Sequence, residues 1–262
     1  MNTAAPENPE APKFSTAVVT AWHDMRDVLR VLFTPALIVF LILLALGILR
    51  VQIVPLTGLT AGQGLEKLLY DAVVAFLMTP YAIAVHRFII LGEQTMSYRI
   101  TPAEPRFRRF FGWSLALSVL WDAPAALSVM LPALKDFLSV DPPFVLFVVL
   151  VGIVTVVAIR AIVLFPALAI DAPGANWRRA MADTRGHAWH IFFIIVGANL
   201  PLVIVAALPV LLRVNLGVTI GSDVYAAFGA ILRLFIYTLA VVIASRLYQW
   251  IGIRVKERGS DS

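Results

Sequence analysis

The polar residues of this chain are clustered, and between the clusters lie long stretches in which almost every position is apolar. About 20 apolar residues wound as a helix span roughly 30 Å, the thickness of a bilayer's hydrocarbon core. Six stretches reach that length: 35–55, 68–91, 110–131, 144–170, 191–212 and 224–250. They are apolar on every side instead of at alternate positions, which predicts helices and not barrel strands. Two segments outside them are amphipathic at helical spacing. In the first, Phe14, Val18, Trp22, Met25, Leu29 and Leu32 share one stripe, opposite His23, Asp24, Asp27 and Arg30. In the second, Trp177, Ala180, Met181, Thr184 and Ala188 oppose Arg178, Arg179, Asp183 and Arg185. Asn176 stands where an N-cap belongs, after the Pro173–Gly174 turn. The expected fold is an all-α integral membrane protein of six transmembrane helices, with amphipathic helices lying in the headgroup plane.

Composition agrees with that pattern. Sixty per cent of the 262 residues are hydrophobic and 14% charged, and the mean hydropathy is +0.88, too apolar for a water-soluble domain. The expected organisation is a disordered cytoplasmic tail (1–13), a six-span membrane domain (14–250) and a basic cytoplasmic tail (251–262), leaving little chain for an extramembrane catalytic domain. The first residues lack the basic start and short apolar core of a cleavable signal. With no cysteine, the chain has no disulfide or thiolate metal site.

The net charge of +5 follows membrane orientation. Sixteen of the 21 Lys and Arg residues fall on one side of the six spans, leaving Arg50, Lys67, Lys135, Arg213 and Arg233 on the other. By the positive-inside rule both termini are expected in the cytoplasm. Trp113, Trp189, Tyr248 and Trp250 cluster at that interface, as an aromatic belt does. The basic segments attract anionic headgroups, which makes membrane lipid the expected partner, with a protein partner also open. Nucleic-acid binding would need a folded module for which there is no room.

A basic, Trp-bearing segment followed by two spans recurs three times at a period of roughly 80 residues, with Arg87, Arg160 and Arg246 near the basic ends of the second spans. Either three paired-helix repeats or positive-inside placement alone explains this pattern.

The stretch Arg160, Leu164-Phe165-Pro166-Ala167, Asn176-Trp177, Ala180, Thr184-Arg185-Gly186 and Trp189 resembles a signature of the six-span bacterial membrane domain that precedes the catalytic domain in some glycerophosphodiester phosphodiesterases. The resemblance implies a multi-pass protein of the bacterial inner membrane and no activity, because that family's catalytic domain has no counterpart here: His86-Arg87 runs into Phe88 within a span. In this stretch Pro166 is expected to kink the fourth span into an elbow and Gly186 to redirect the chain again. Arg160, Pro166, Trp177, Arg178, Arg179, Thr184, Arg185, Gly186 and Trp189 thus either shape the fold or form a headgroup or effector site.

Ionisable residues inside spans are functional candidates, because a lone charge in hydrocarbon costs several kcal/mol. Arg50, Asp71, Asp122 and Arg233 fall at similar depth away from the basic side, which suggests ion pairing. They form either a structural cluster or a substrate or proton pathway centred on Asp122, which is followed by Pro124. Lys67 and Arg213 read as interface anchors that snorkel. His86 reads as a hydrogen-bonded packing residue or a proton relay. Asp183, His187 and His190 have the spacing of a metal site, but a solvated helix end explains them equally, and no metal or cofactor is expected. No Walker loop, Gly-x-Ser-x-Gly elbow or His-Glu-x-x-His pair is present, so no catalytic residue is assigned. Two roles follow. One is a non-enzymatic scaffold or accessory protein in envelope or lipid homeostasis; the other is a small transporter or lipid- or solute-handling permease built on the Asp/Arg cluster.

Overall fold

The computed structural model describes residues 12–53, 61–130, 142–216 and 221–260, with the side chains at several helix ends excepted. All regular structure among the described residues is helical: α1 (Phe14–Val31), α2 (Phe33–Ile53), α3 (Ala61–Leu91), α4 (Pro105–Met130), α5 (Pro142–Ala161), α6 (Leu164–Ala169), α7 (Trp177–Asp183), α8 (Ala188–Leu216) and α9 (Ser222–Ser260).

Among the described residues, four stretches are long and apolar enough to cross a membrane: Glu66–Leu91, Phe147–Ala169, Ala188–Leu212 and Ser222–Ile251. A fifth arises if α1 and α2, bent by 93° at Leu32, count as one span. These helices mark a membrane protein. The expected third span coincides with α4, which is not among these four within the described residues.

The bend between α1 and α2 has a local cause. The Leu32 N–H still bonds the Val28 carbonyl at 2.8 Å, but Pro35, in the first turn of α2, has no N–H with which to extend the ladder of α1. The amphipathic stripe of α1 then lies against α8 and α9, with Ala21, Met25 and Val28 buried. Trp22 donates its Nε1–H to the Ala198 carbonyl at 3.1 Å. A Cβ on Gly197 would collide with the half-exposed Phe14 ring and push it aside, so glycine gives that ring its seat on α8.

Helix α9 is the hub, packed against α2, α3 and α8 and touching α1, α6 and α7; Leu239 and Val242 are fully buried there. It also continues past 250 to Ser260, so the basic stretch expected as a tail begins as helix. Residues 1–11 of the expected N-terminal tail lie outside the described residues.

The expected elbow is displaced. Pro166 sits in the first turn of the buried α6, where a missing N–H leaves no gap in the ladder, and the chain reverses afterwards, at Asp171 (φ 53°) and Gly174 (φ 75°). Gly186, with φ 85°, makes the next redirection, between α7 and α8. Asn176 caps α7 by accepting the Arg179 N–H at 2.8 Å, as its position predicts.

Candidate functional site

Helices α3, α4, α5 and α9 do not close on one another completely. Between them lies a cavity of about 500 Å³, within the range of small-molecule sites. One helical face of α3 (Lys67, Asp71, Val74, Met78) and one of α4 (Phe110, Ser114, Leu117, Asp122) form two of its walls. Small side chains make the room on the opposite side, at Ala158 of α5 and Ala240 and Ala244 of α9. From Phe110 to Asp122 the α4 wall extends about 18 Å at 1.5 Å per residue, more than half of a hydrocarbon core.

The end of the cavity farthest from Arg87 and Arg160 is charged. Lys67 Nζ lies 2.6 Å from Asp71 Oδ2, one turn along α3, and 2.6 Å from Asp122 Oδ1 on α4. Lys67 is 42% exposed and the two carboxylates about a quarter, which places this triad at a mouth and not in the core. Trp121, 57% exposed, lines the same cavity beside Asp122. Asp71 and Asp122, expected in one cluster with Arg50 and Arg233, meet here through Lys67. The structure corrects the reading of Lys67 as a snorkelling anchor, because its four-carbon stem spans the gap from α3 to α4. Arg233 is engaged elsewhere, donating to the Tyr70 hydroxyl at 2.8 Å with its guanidinium 5.9 Å from the Tyr70 ring centroid. The side chain of Arg50 lies outside the described residues.

Toward the basic end the cavity reaches His86, which is 1% exposed. Its Nδ1 and the Ser245 Oγ are 2.8 Å apart, joining α3 to α9, and the Ser245 hydroxyl also lies 2.9 Å from the Val241 carbonyl. Phe110 packs on the His86 ring at 5.8 Å and on Phe165 at 5.2 Å, closing this end with aromatic edges.

At the basic face, the three arginines of the repeating pattern each grip a neighbouring element. Arg87 holds both Glu93 oxygens at 2.6 and 2.7 Å and donates to the Ala169 carbonyl at 3.2 Å. Arg160 donates to the Met181 carbonyl of α7, while the Thr184 hydroxyl lies 3.3 Å from the Arg160 carbonyl. Arg246 takes Asp24 of α1 bidentately, at 2.6 and 2.7 Å. The guanidinium of Arg87 holds the exposed Glu93 carboxyl below its ordinary value, whereas burial pushes the Tyr98 phenol up to about 12.

The residues of the resembling stretch divide into two sets. Arg160, Pro166, Thr184 and Gly186 hold the chain path, and Trp177 stacks on Trp113 of α4, rings 5.2 Å apart and 3° from parallel. Arg178, Arg179, Arg185 and Trp189 face outward, with Trp189 73% exposed and edge-on to Phe192. His187 and His190 pack against Trp250, and no group of three metal-ligating side chains occurs among the described residues.

No known protein family, curated protein or solved structure matches the chain.

Proposed function

We propose that this chain is a non-enzymatic protein of the bacterial inner membrane, active in envelope or lipid homeostasis, that shelters one amphiphilic molecule between α3, α4, α5 and α9. The observation that carries this reading is the cavity: about 500 Å³, walled by Val74, Met78, Leu117 and Phe165, and charged at one mouth by Lys67, Asp71 and Asp122. An acyl chain matches the walls and a polar head matches the mouth, whereas a small polar solute would leave the apolar walls unused.

The reading includes six spans, with α2 and α4 crossing as well, both termini on the cytoplasmic side with the arginines, and three paired-helix units. The grips of Arg87, Arg160 and Arg246 on neighbouring elements support the repeat. It also keeps the likeness to the membrane domain of glycerophosphodiester phosphodiesterases, carried by the pattern from Arg160 to Trp189.

A specific observation favours a second role on the basic face. Exposed Arg178, Arg179 and Arg185 beside exposed Trp189 make a surface for anionic headgroups or an acidic partner protein. Native mass spectrometry of the protein extracted with its own lipids tests both roles. One amphiphile per chain is expected, lost when Ala158→Phe fills the cavity and kept when Arg178 and Arg179 are neutralised. An amphiphile retained by the filled variant and lost with the arginines would move the function to the basic face.

A further inference from the structure

Two carboxylates and one ammonium leave the cavity mouth with a formal charge of −1, and among the described residues no second cation pairs with Asp71 or Asp122. We infer that the amphiphile carries a primary ammonium group, and that Lys67 occupies the seat of that ammonium while the cavity is empty. This deepens the amphiphile reading above and rests on it.

The mouth distinguishes headgroups by charge. An anionic head would add a like charge beside two partly desolvated carboxylates, and a neutral head would leave the −1 uncompensated. A primary ammonium brings the mouth to neutrality and can donate the same N–H···O bonds that Lys67 makes at 2.6 Å to each carboxylate. A quaternary ammonium has the charge without the donors. Trp121 lines the cavity beside Asp122. Arg233, the other cation expected at this depth, is drawn aside to Tyr70. Lys67 is therefore both a bridge and a competitor: its long stem lets its Nζ withdraw toward solvent when a ligand amine takes its place.

The test uses the full chain in phosphatidylcholine nanodiscs and five probes of known head chemistry: dodecylamine, lysophosphatidylethanolamine, dodecyltrimethylammonium, N-dodecylacetamide and dodecyl phosphate. Dodecylamine is expected to bind about tenfold more tightly than the amide or the phosphate, with the quaternary probe between. Lys67→Gln is expected to tighten dodecylamine about fivefold by removing the competitor. Asp71→Asn with Asp122→Asn should abolish the preference while leaving the amide's affinity unchanged. Lysophosphatidylethanolamine binding as tightly as dodecylamine would assign the amine to a phospholipid head, and weaker binding would assign it to a simple alkylamine; both support the inference. Equal binding of all heads, preference for the phosphate, or weaker amine binding by Lys67→Gln would overturn it and leave the amphiphile reading intact. Failure of every probe to bind would overturn both.

Discussion

Lys67 Nζ reaches Asp122 Oδ1 at 2.6 Å across 55 positions of sequence, and this contact ties α3 to α4 at the mouth of the cavity. Lys67 is 42% exposed, so solvent screens the pair and its coupling should be modest, about 1 kcal/mol. A double-mutant cycle with Lys67→Gln and Asp122→Asn, read by reversible unfolding in mild detergent, measures it. The larger expected consequence is functional: Asp122→Asn should weaken binding of the amphiphile, by up to about tenfold, while keeping its insertion and helix content. A fall in stability of several kcal/mol with ligand retained would make the triad structural.

The pair of His86 and Ser245 is different in kind because it is buried. Ser245→Ala would leave Nδ1 of a 1% exposed imidazole without its partner, at a cost of about 2 kcal/mol. The expected result is a lower thermal midpoint with unchanged Arg246 contacts, measured by melting in detergent.

Asp24 and Arg246 hold α1 onto the end of α9. Asp24→Asn removes the charge and one arm of the bidentate grip. Hydrogen exchange should then quicken over residues 14–31 and stay unchanged over 222–240. Uniform quickening would mean that α1 is needed for the whole bundle.

The Arg87–Glu93 grip should depend on pH. Hydrogen bonding to Arg87 holds the Glu93 carboxyl below its ordinary value, so its contribution is present above the pKa of the unfolded chain. It is lost as pH falls through the lower pKa of the folded chain. Acidification should therefore loosen residues 92–104 in hydrogen exchange, and Glu93→Gln should loosen them at neutral pH and remove that pH dependence.

The helices were legible in the sequence because membrane helices announce themselves by length and apolarity; the apolar runs at 68–91, 191–212 and 224–250 lie within α3, α8 and α9. The amphipathic stripe of α1 and the Asn176 cap were equally readable, being local. Lys67 was misread because depth alone was used to judge it, although its spacing of four from Asp71 was a visible signal. Its second partner, Asp122, was out of reach, since which helices meet is set by packing across the bundle. The same holds for Gly197 beneath Phe14 and for the cavity itself, which exists only where Ala158, Ala240 and Ala244 face Phe110 and Met78. The turn at Pro173–Gly174 after α6 was legible, but its beginning at Asp171 was not, because a non-glycine residue at positive φ gives no warning.

The claim that the cavity holds an amphiphile is tested most directly by a high-resolution structure of the full chain in nanodiscs made from its own membrane. One elongated density is expected along Val74, Met78 and Leu117, ending within hydrogen-bonding distance of Asp71 and Asp122. An empty cavity, or one closed by inward movement of Trp121 and Phe110, would contradict it.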